Sequence, residues 1–386
     1  MKKPVAKYYT TGSVLALEPQ MDLAITEFCN QLDARFAETG KACDMWEWML
    51  YLAWDLSSYM IFSRRFGYLE KGADFDGTIA LSARVGRYFE LVGQMPWLDF
   101  VFDKNPVMKI GPGTFAGLAG LAVEGLMRRM KEGRKEDYLQ HFIDAKDEFP
   151  GMVDDGAVVA FTMLHIIAGA DTTAITVCMV LWYVLGDRGR WERLRDEVRG
   201  LGLDGGPVGY GVARQCGYLE AVWLEATRLQ PIAGMRELFL CGLGGFTDVD
   251  VEYERYVPDE GLTLPNGAFI PSGTAVGLNP YILGRNPSVF GADAEEFRPE
   301  RWLRLPGEDD ESYVTRLRVQ RTVVDLNFGA GSRICLGKNL GIVETYKILA
   351  TLVNRYDIEL EGDGGWKIQG GWVRRPTKLM VKVSKA

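Results

Sequence analysis

The chain has 386 residues, of which 47% are hydrophobic and 11% aromatic, so it is long enough to bury the core of a large globular protein. Its net charge of −8, with no basic stripe of interleaved aromatic residues, argues against nucleic acid as a partner. Two histidines, and cysteines without C-x-x-C spacing, argue against a zinc or non-haem iron site of ordinary composition.

The longest apolar stretch runs from about Asp154 to Gly186, and Ala168-Gly169-Ala170-Asp171-Thr172-Thr173 interrupts its centre. An acid and two hydroxyls in an apolar helix cost roughly several kcal/mol unless partners satisfy them. Small side chains at Ala168 and Gly169 would let a ligand approach the backbone, and Thr172 can donate to the carbonyl four residues earlier and locally open the helix. His165 lies on nearly the same face as Thr172 and is expected to point into a substrate pocket.

This stretch has two other interpretations. A transmembrane helix is possible by length, but Asp171 near the midpoint and charged residues at both ends disfavour it. A plain buried helix with a satisfied polar kink is the second alternative.

The next helix, Tyr218–Leu229, carries Glu225-x-x-Arg228 among apolar residues and ends before Pro231. A charge pair in such surroundings must be buried and needs further partners. Glu192-x-x-Arg195 has the same spacing on a highly charged helix, where an exposed pair contributes only a few tenths of a kcal/mol, roughly. The spacing alone is therefore weak, and the apolar flanks distinguish Glu225.

One glycine motif does not carry its usual meaning. Gly200-x-Gly202-x-x-Gly205 fits a dinucleotide-binding pattern, but it follows a charged helix instead of a strand, and Gly206-Pro207 blocks a following helix. It is predicted to be a loop. Further on, Leu264–Thr274 is typical of a turn with short strands.

The most informative window is Phe328-Gly329-Ala330-Gly331-Ser332-Arg333-Ile334-Cys335-Leu336-Gly337, before a helix predicted from Leu336 to about Arg355. Backbone N–H groups of a tight turn and of a helix N-terminus favour a thiolate at Cys335. Gly329 and Gly331 would let the backbone fold close to the sulfur, and Gly337 would let a flat ligand lie against the helix start. A buried free cysteine beside a surface arginine is the alternative.

This window resembles the haem-binding loop of the cytochrome P450 family, Phe-Gly-x-Gly-x-Arg-x-Cys-x-Gly, with every position present. The resemblance implies that Cys335 is the axial thiolate of haem b, that Arg333 binds a haem propionate, and that Phe328 packs beside the sulfur. It also assigns Gly329, Gly331, Gly337 and Arg236 to cofactor binding. Ala168–Thr172 resembles the family's distal-helix motif, which implies that Asp171 and Thr172 relay protons during oxygen activation.

A fourth segment, Phe297-Arg298-Pro299-Glu300-Arg301-Trp302, resembles the family's Pro-Glu-Arg-Phe motif, with Trp302 in the aromatic position. By this resemblance Arg301 completes a structural Glu225–Arg228–Arg301 cluster. The order and spacing of all four motifs match the family, from the apolar helix near Trp46–Phe62 to strands near Lys378–Val383.

The resemblance implies a mainly α fold with a small β component, organised as one P450 domain over residues 1–386. The usual membrane anchor and first helices and strands are expected to be missing, so that the chain is N-terminally truncated. In its overall character the sequence most resembles fungal microsomal P450s of secondary metabolism. Pocket walls are expected from His165, Ala168, Gly169, Ile232, Ala233 and Trp372.

The implied function is a monomeric monooxygenase that inserts one atom of O2 into a small, mostly apolar substrate. Electrons would come from NADPH-cytochrome P450 reductase, docked on a basic face. That face is expected to comprise Lys338, Arg333, Arg316, Arg318 and Arg321. The expected location is the cytoplasmic face of the endoplasmic reticulum membrane, or the cytoplasm in the absence of an anchor.

Two other functions stay open. One is a truncated, non-catalytic P450 remnant, which the missing N-terminal part favours. The other is an O2-independent haem-thiolate isomerase or dehydratase, against which the presence of Asp171 and Thr172 argues.

Overall fold

The architecture is mainly helical with small antiparallel sheets, which confirms the predicted fold class. The computed structural model describes residues 2–95, 97–106, 116–232, 255–369 and 373–386. The α-helices are α1 Thr11–Ala16, α2 Glu18–Leu32, α3 Met45–Phe62, α4 Tyr68–Lys71, α5 Thr78–Gln94, α6 Trp97–Phe102, α7 Ala116–Glu132, α8 Tyr138–Glu148, α9 Asp155–Leu185, α10 Arg188–Arg199, α11 Tyr210–Ala213, α12 Gly217–Leu229, α13 Pro280–Gly284, α14 Pro287–Phe290, α15 Asp310–Asp325 and α16 Lys338–Arg355.

The strands are short and pair antiparallel. They are β1 Cys43–Asp44, β2 Arg255–Tyr256, β3 Leu262–Thr263, β4 Phe269–Ile270, β5 Ala275–Val276, β6 Tyr356–Leu360, β7 Ile368–Gln369, β8 Arg375–Pro376 and β9 Met380–Lys385. Strand β9 is the centre of a three-stranded sheet in the order β1-β9-β6, with Ile358 opposite Val383. The pairs β2–β5, β3–β4 and β7–β8 are two-stranded.

Helix α9 is the axis of the core. The Asp154 carboxylate accepts the Ala157 amide hydrogen and so caps the helix start. The helix packs against α3, α7, α8, α10, α12 and α16, and its second half is buried on all sides. Among the described residues, α9 alone is long and apolar enough to cross a membrane, but 72% of its most apolar window is buried within the fold. Its contacts are those of a core helix.

Several predicted boundaries agree with the structure. Helices α3, α9 and α12 begin within one residue of prediction, whereas α16 begins at Lys338 instead of Leu336 because the turn around Cys335 extends to Gly337. Residues 200–209 contain no helix or strand, as predicted for the rejected dinucleotide motif. Arg236, Ala233 and Trp372 lie outside the described residues.

Candidate functional site

Cys335 lies between a short 3-10 helix, Gly331–Arg333, and the start of α16. Its amide donates to the Phe328 carbonyl with an N–O distance of 2.6 Å, which closes the loop. Gly329 and Gly331 have φ angles of 72° and 59°, a region that other residues rarely adopt. A Cβ at Gly329 would meet only ordinary contacts and one at Gly331 none, so positive φ, and not the predicted clash near the sulfur, explains these two glycines.

The charge state of the sulfur depends on opposing effects. The backbone N–H groups of Gly337 and Lys338 and the charge of Lys2 favour the thiolate, but burial of the thiol outweighs them and raises the pKa of Cys335. The predicted contribution of the turn and the helix start is therefore present, but it does not outweigh burial. A bound cation would be needed to hold the thiolate, since metal ligation deprotonates a thiol.

Two cavities of about 290 and 570 Å³ meet at this sulfur. The smaller lies between α9 and α16, and the larger extends towards α5 and the β7–β8 pair. Both are bordered by Ala168, Thr172, Ile232, Asn327, Phe328 and Cys335. A Cβ at Gly337 would meet no atom within 4 Å, so the helix start leaves open space beside the smaller cavity.

These residues fit an iron porphyrin. Cys335 lines both cavities, and the apolar slot between two helices would accept a flat ring. The Phe328 ring stacks near Trp223 at 6.5 Å and shields one side of the loop. The Arg333 guanidinium borders the larger cavity and has no side-chain partner among the described residues, so it can pair with a carboxylate.

The centre of α9 has the predicted hydrogen bond but not the predicted opening. Thr172 Oγ1 donates to the Ala168 carbonyl at 2.8 Å, while the helix continues unbroken to Leu185. Ala168 is exposed to the cavities, and Gly169 lies beside them where α9 passes close to Ser57 of α3.

The sequence analysis missed the partner of Asp171. The Arg375 guanidinium of β8 forms an ion pair with this buried carboxylate. Burial raises the pKa of Asp171, whereas Arg375, Trp54 and Ser82 lower it. A cation three residues beyond the expected pocket residue Trp372, in a segment thought to line the pocket, was the only sequence signal for this contact.

His165 borders the smaller cavity, as expected, and one of its ring nitrogens is already hydrogen-bonded. It lies at the edge of the smaller cavity, where its Nδ1 hydrogen-bonds the Tyr9 hydroxyl at 2.8 Å and its ring packs against Tyr138. Burial lowers the pKa of His165 to about 3, so the ring is neutral at physiological pH. Helix periodicity predicted the place of His165 beside the pocket but could not reveal its partner Tyr9 from the N-terminal segment.

A second missed residue is Glu344 of α16. It is buried, borders the smaller cavity, and accepts a hydrogen bond from Thr173 Oγ1 at 2.7 Å. Burial raises the pKa of Glu344 to about 8, so the carboxyl group is largely protonated at neutral pH. Its only sequence signal was that Glu344, nine residues after Cys335, is the lone acid of its helix.

Glu344 makes stability depend on pH. The pKa of Glu344 is near 4.5 in the unfolded chain and about 8 in the folded protein. Between these two pH values the folded protein binds more protons than the unfolded chain, so the free energy of unfolding falls as pH rises through this window. Between pH 5 and pH 8 we expect the parent to lose about 3 kcal/mol relative to Glu344→Gln. Urea unfolding at several pH values measures this difference. Glu361→Gln, at an exposed position, is the matched control, and equal pH profiles of parent and Glu344→Gln would contradict the prediction.

The Glu225 cluster joins α12 to the segment before α15. Arg228 Nε and Nη2 donate to the two Glu225 oxygens at 2.8 and 2.7 Å, and Arg301 Nε donates to Oε1 at 2.8 Å. Trp302 Nε1 and the Arg298 amide each add a bond of 2.8 Å. All three charged side chains are almost completely buried. The indole bond gives the aromatic position of this motif a polar role that the sequence analysis missed.

Arg228 and Arg301 also use their other N–H groups. Arg228 Nη1 donates to the carbonyls of Gly284 and Ala294, and Arg301 Nη2 donates to that of Asp293. The cluster therefore satisfies its charges and fixes the path of the chain around α13 and α14.

Three of the cations expected on the basic face form ion pairs within the fold. Arg316 turns inward to Glu308, Arg321 pairs with Glu220, and Lys338 pairs with Asp325. Exposed Arg318 and Arg333 have no side-chain partners among the described residues. The predicted docking face is thus weaker than the sequence suggested, because acidic residues distant in sequence neutralise three of its cations.

Comparison with known proteins gives a consistent result. A sequence profile described as cytochrome P450 matches residues 3–238 and 248–383. Cytochrome P450 monooxygenase cfoH of Aspergillus candidus is 39% identical over 394 residues, which cover 100% of this chain and 70% of that protein. Cytochrome P450 monooxygenase cicH of Emericella nidulans is 31% identical, covering 99% of this chain and 74% of that protein. Cytochrome P450 monooxygenase mpaDE of Penicillium brevicompactum is 31% identical, and the chain spans 44% of its length.

Proposed function

Because this chain belongs to the cytochrome P450 family, we propose that it is a haem-thiolate monooxygenase acting on a small, mostly apolar organic molecule. The observation that carries the proposal is the meeting of two cavities at Cys335 and Thr172, since a thiolate ligand and a proton-relaying hydroxyl then border one space. The names of the fungal relatives support the monooxygenase class, and secondary metabolism is the proposed setting.

The cofactor proposed for this space is haem b. The Cys335 sulfur would ligate its iron, Arg333 would bind one of its carboxylates, and Phe328 would shield the sulfur. When bound, haem activates O2 with two electrons and two protons, so that one oxygen atom enters the substrate and the other leaves as water. NADPH-cytochrome P450 reductase at the endoplasmic reticulum membrane is the proposed electron source, and Arg318 is the candidate docking cation.

Thr172 and Asp171 supply the protons in this proposal. Thr172 donates its own hydrogen to the Ala168 carbonyl, which leaves the oxygen lone pairs as acceptors on the cavity side. Asp171, the next residue, is held by Arg375 at the wall of the larger cavity. In the relay the Thr172 hydroxyl turns from the Ala168 carbonyl, passes its own hydrogen into the cavity and accepts in return a proton held at the Asp171 carboxyl.

The Thr172→Ala variant tests this relay. It should leave haem binding and the ferrous–carbon monoxide spectrum intact, because Thr172 contributes no ligand. With a substrate that turns over, NADPH oxidation should continue while product falls and hydrogen peroxide rises, by about 10-fold or more in their ratio. The measurement is the stoichiometry of NADPH, product and peroxide.

Thr162→Ala is the matched control, because Thr162 makes the same bond to a carbonyl four residues earlier on α9 but borders neither cavity. Unchanged stoichiometry in Thr172→Ala would refute the relay. An O2-independent isomerase would consume no NADPH at all, and a non-catalytic remnant would show no ferrous–carbon monoxide band.

A further inference from the structure

Arg375 is placed to bind more than Asp171. One of its terminal nitrogens, Nη2, contacts the Asp171 carboxylate, while Nε and Nη1 have no hydrogen-bond partner among the described residues. The side chain is 21% exposed and borders the larger cavity. A guanidinium group presents five N–H donors in a planar fork, so its unused edge suits the two oxygens of a second carboxylate.

The described walls of the larger cavity carry cationic side chains. Arg87, Arg333 and Arg375 border it, and Arg375 contacts the Asp171 carboxylate. The remaining walls include Trp46, Leu50, Ile79 and Ile167, which would contact an apolar body. The cavity therefore suits an amphipathic anion better than a neutral hydrocarbon.

We propose that Arg375 recognises a carboxylate group on the substrate of this enzyme, so that the substrate class is organic acids with an apolar body. The inference rests on the proposed function for the location of the substrate. Asp171 and the bound carboxylate would flank one guanidinium, so their negative charges would repel each other. Removing the Asp171 charge should then strengthen carboxylate binding, whereas removing the Arg375 charge should weaken it.

The probes are 2-naphthoate and its methyl ester, which differ in charge but share the same ring. Titration calorimetry on the haem-loaded protein gives each dissociation constant. We expect the parent to bind 2-naphthoate about 10-fold more tightly than the ester. Arg375→Gln should lose this preference by weakening the acid, with ester binding unchanged. Asp171→Asn should bind the acid at least about 3-fold more tightly than the parent.

Arg374→Gln is the control, because its guanidinium lies over the Tyr281 ring and does not border either cavity. Arg375→Gln alone leaves Asp171 buried without its cation and can fail to fold, so the neutral pair Asp171→Asn/Arg375→Gln is the second variant, and it too should lose the preference.

Weaker binding of the acid in both single variants would overturn the proposal, since the ion pair would then be structural only. Equal affinities of the parent for acid and ester, or equal losses in Arg374→Gln and Arg375→Gln, would do the same. The ferrous–carbon monoxide spectrum is recorded first on the parent. Its absence refutes the proposed function, whereas calorimetry reports anion recognition by Arg375 separately.

Discussion

Cys335→Ser should abolish the long-wavelength band of the ferrous–carbon monoxide complex. This band requires a thiolate ligand, and among the described cysteines Cys335 alone borders the two cavities. A hydroxyl is a poor substitute because its proton is far harder to remove than that of a thiol. We expect complete loss of the band, even if some haem stays bound, and the difference spectrum measures it.

Cys216→Ser is the matched control. Cys216 is buried at the N-cap of α12, with no capping bond from its side chain, and serine is a favoured residue at this position. The control should keep both the fold and the band. A band that persists in Cys335→Ser would show that another cysteine ligates the iron, and the site assignment would be wrong.

The haem loop and the distal helix could be predicted because their chemistry is local. Gly329, Gly331 and Cys335 lie within seven residues, and the hydrogen bond from Thr172 reaches only one turn back to Ala168. A polar group in an apolar helix is also visible in the sequence, since its cost requires a partner. The need for partners could thus be predicted for Asp171 and Glu225.

The identity of distant partners could not be derived in this way. Arg375 is 204 residues from Asp171, and nothing in the pattern of either segment selects this pair over others. Glu225 was different, because the resemblance to a family motif supplied Arg301. The Trp302 indole and the Arg298 amide were not foreseen, since motif matching identifies a residue type but not the donors that converge on an oxygen.

The net electrostatic effect at a site could not be predicted from the sequence either. The turn around Cys335 favours a thiolate, as its glycines and helix start suggested, but burial raises the pKa of Cys335 overall. Similarly, the sequence suggests a basic cluster of Arg316, Arg321 and Lys338, but the fold pairs each of these cations with an acidic residue. The direction of a pKa shift and the net charge of a surface depend on all the groups that the fold brings together. The sequence shows only the groups that are close along the chain.

Glu225→Ala should destabilise the fold by about 3–5 kcal/mol, because it leaves Arg228 and Arg301 buried and facing each other without their carboxylate. Trp302 Nε1 and the Arg298 amide would lose their acceptor as well. This loss is a large part of the roughly 5–15 kcal/mol that stabilises a typical domain, so we expect little soluble, haem-loaded protein. Soluble yield and denaturant unfolding measure the effect.

Glu192→Ala is the matched control on the neighbouring helix α10. The spacing suggested that Glu192 pairs with Arg195, but in the structure Glu192 pairs with Arg188. Arg195 instead contacts Asp196 and Asp357. The Glu192 side chain is 42% exposed, so removing it should cost well under about 1 kcal/mol. Both substitutions delete a glutamate from a helical ion pair, so only burial and the number of donors distinguish them. Equal stability of the two variants would mean that the arginines find water or other acceptors, and that the cluster does not hold α12 against the segment around Arg301.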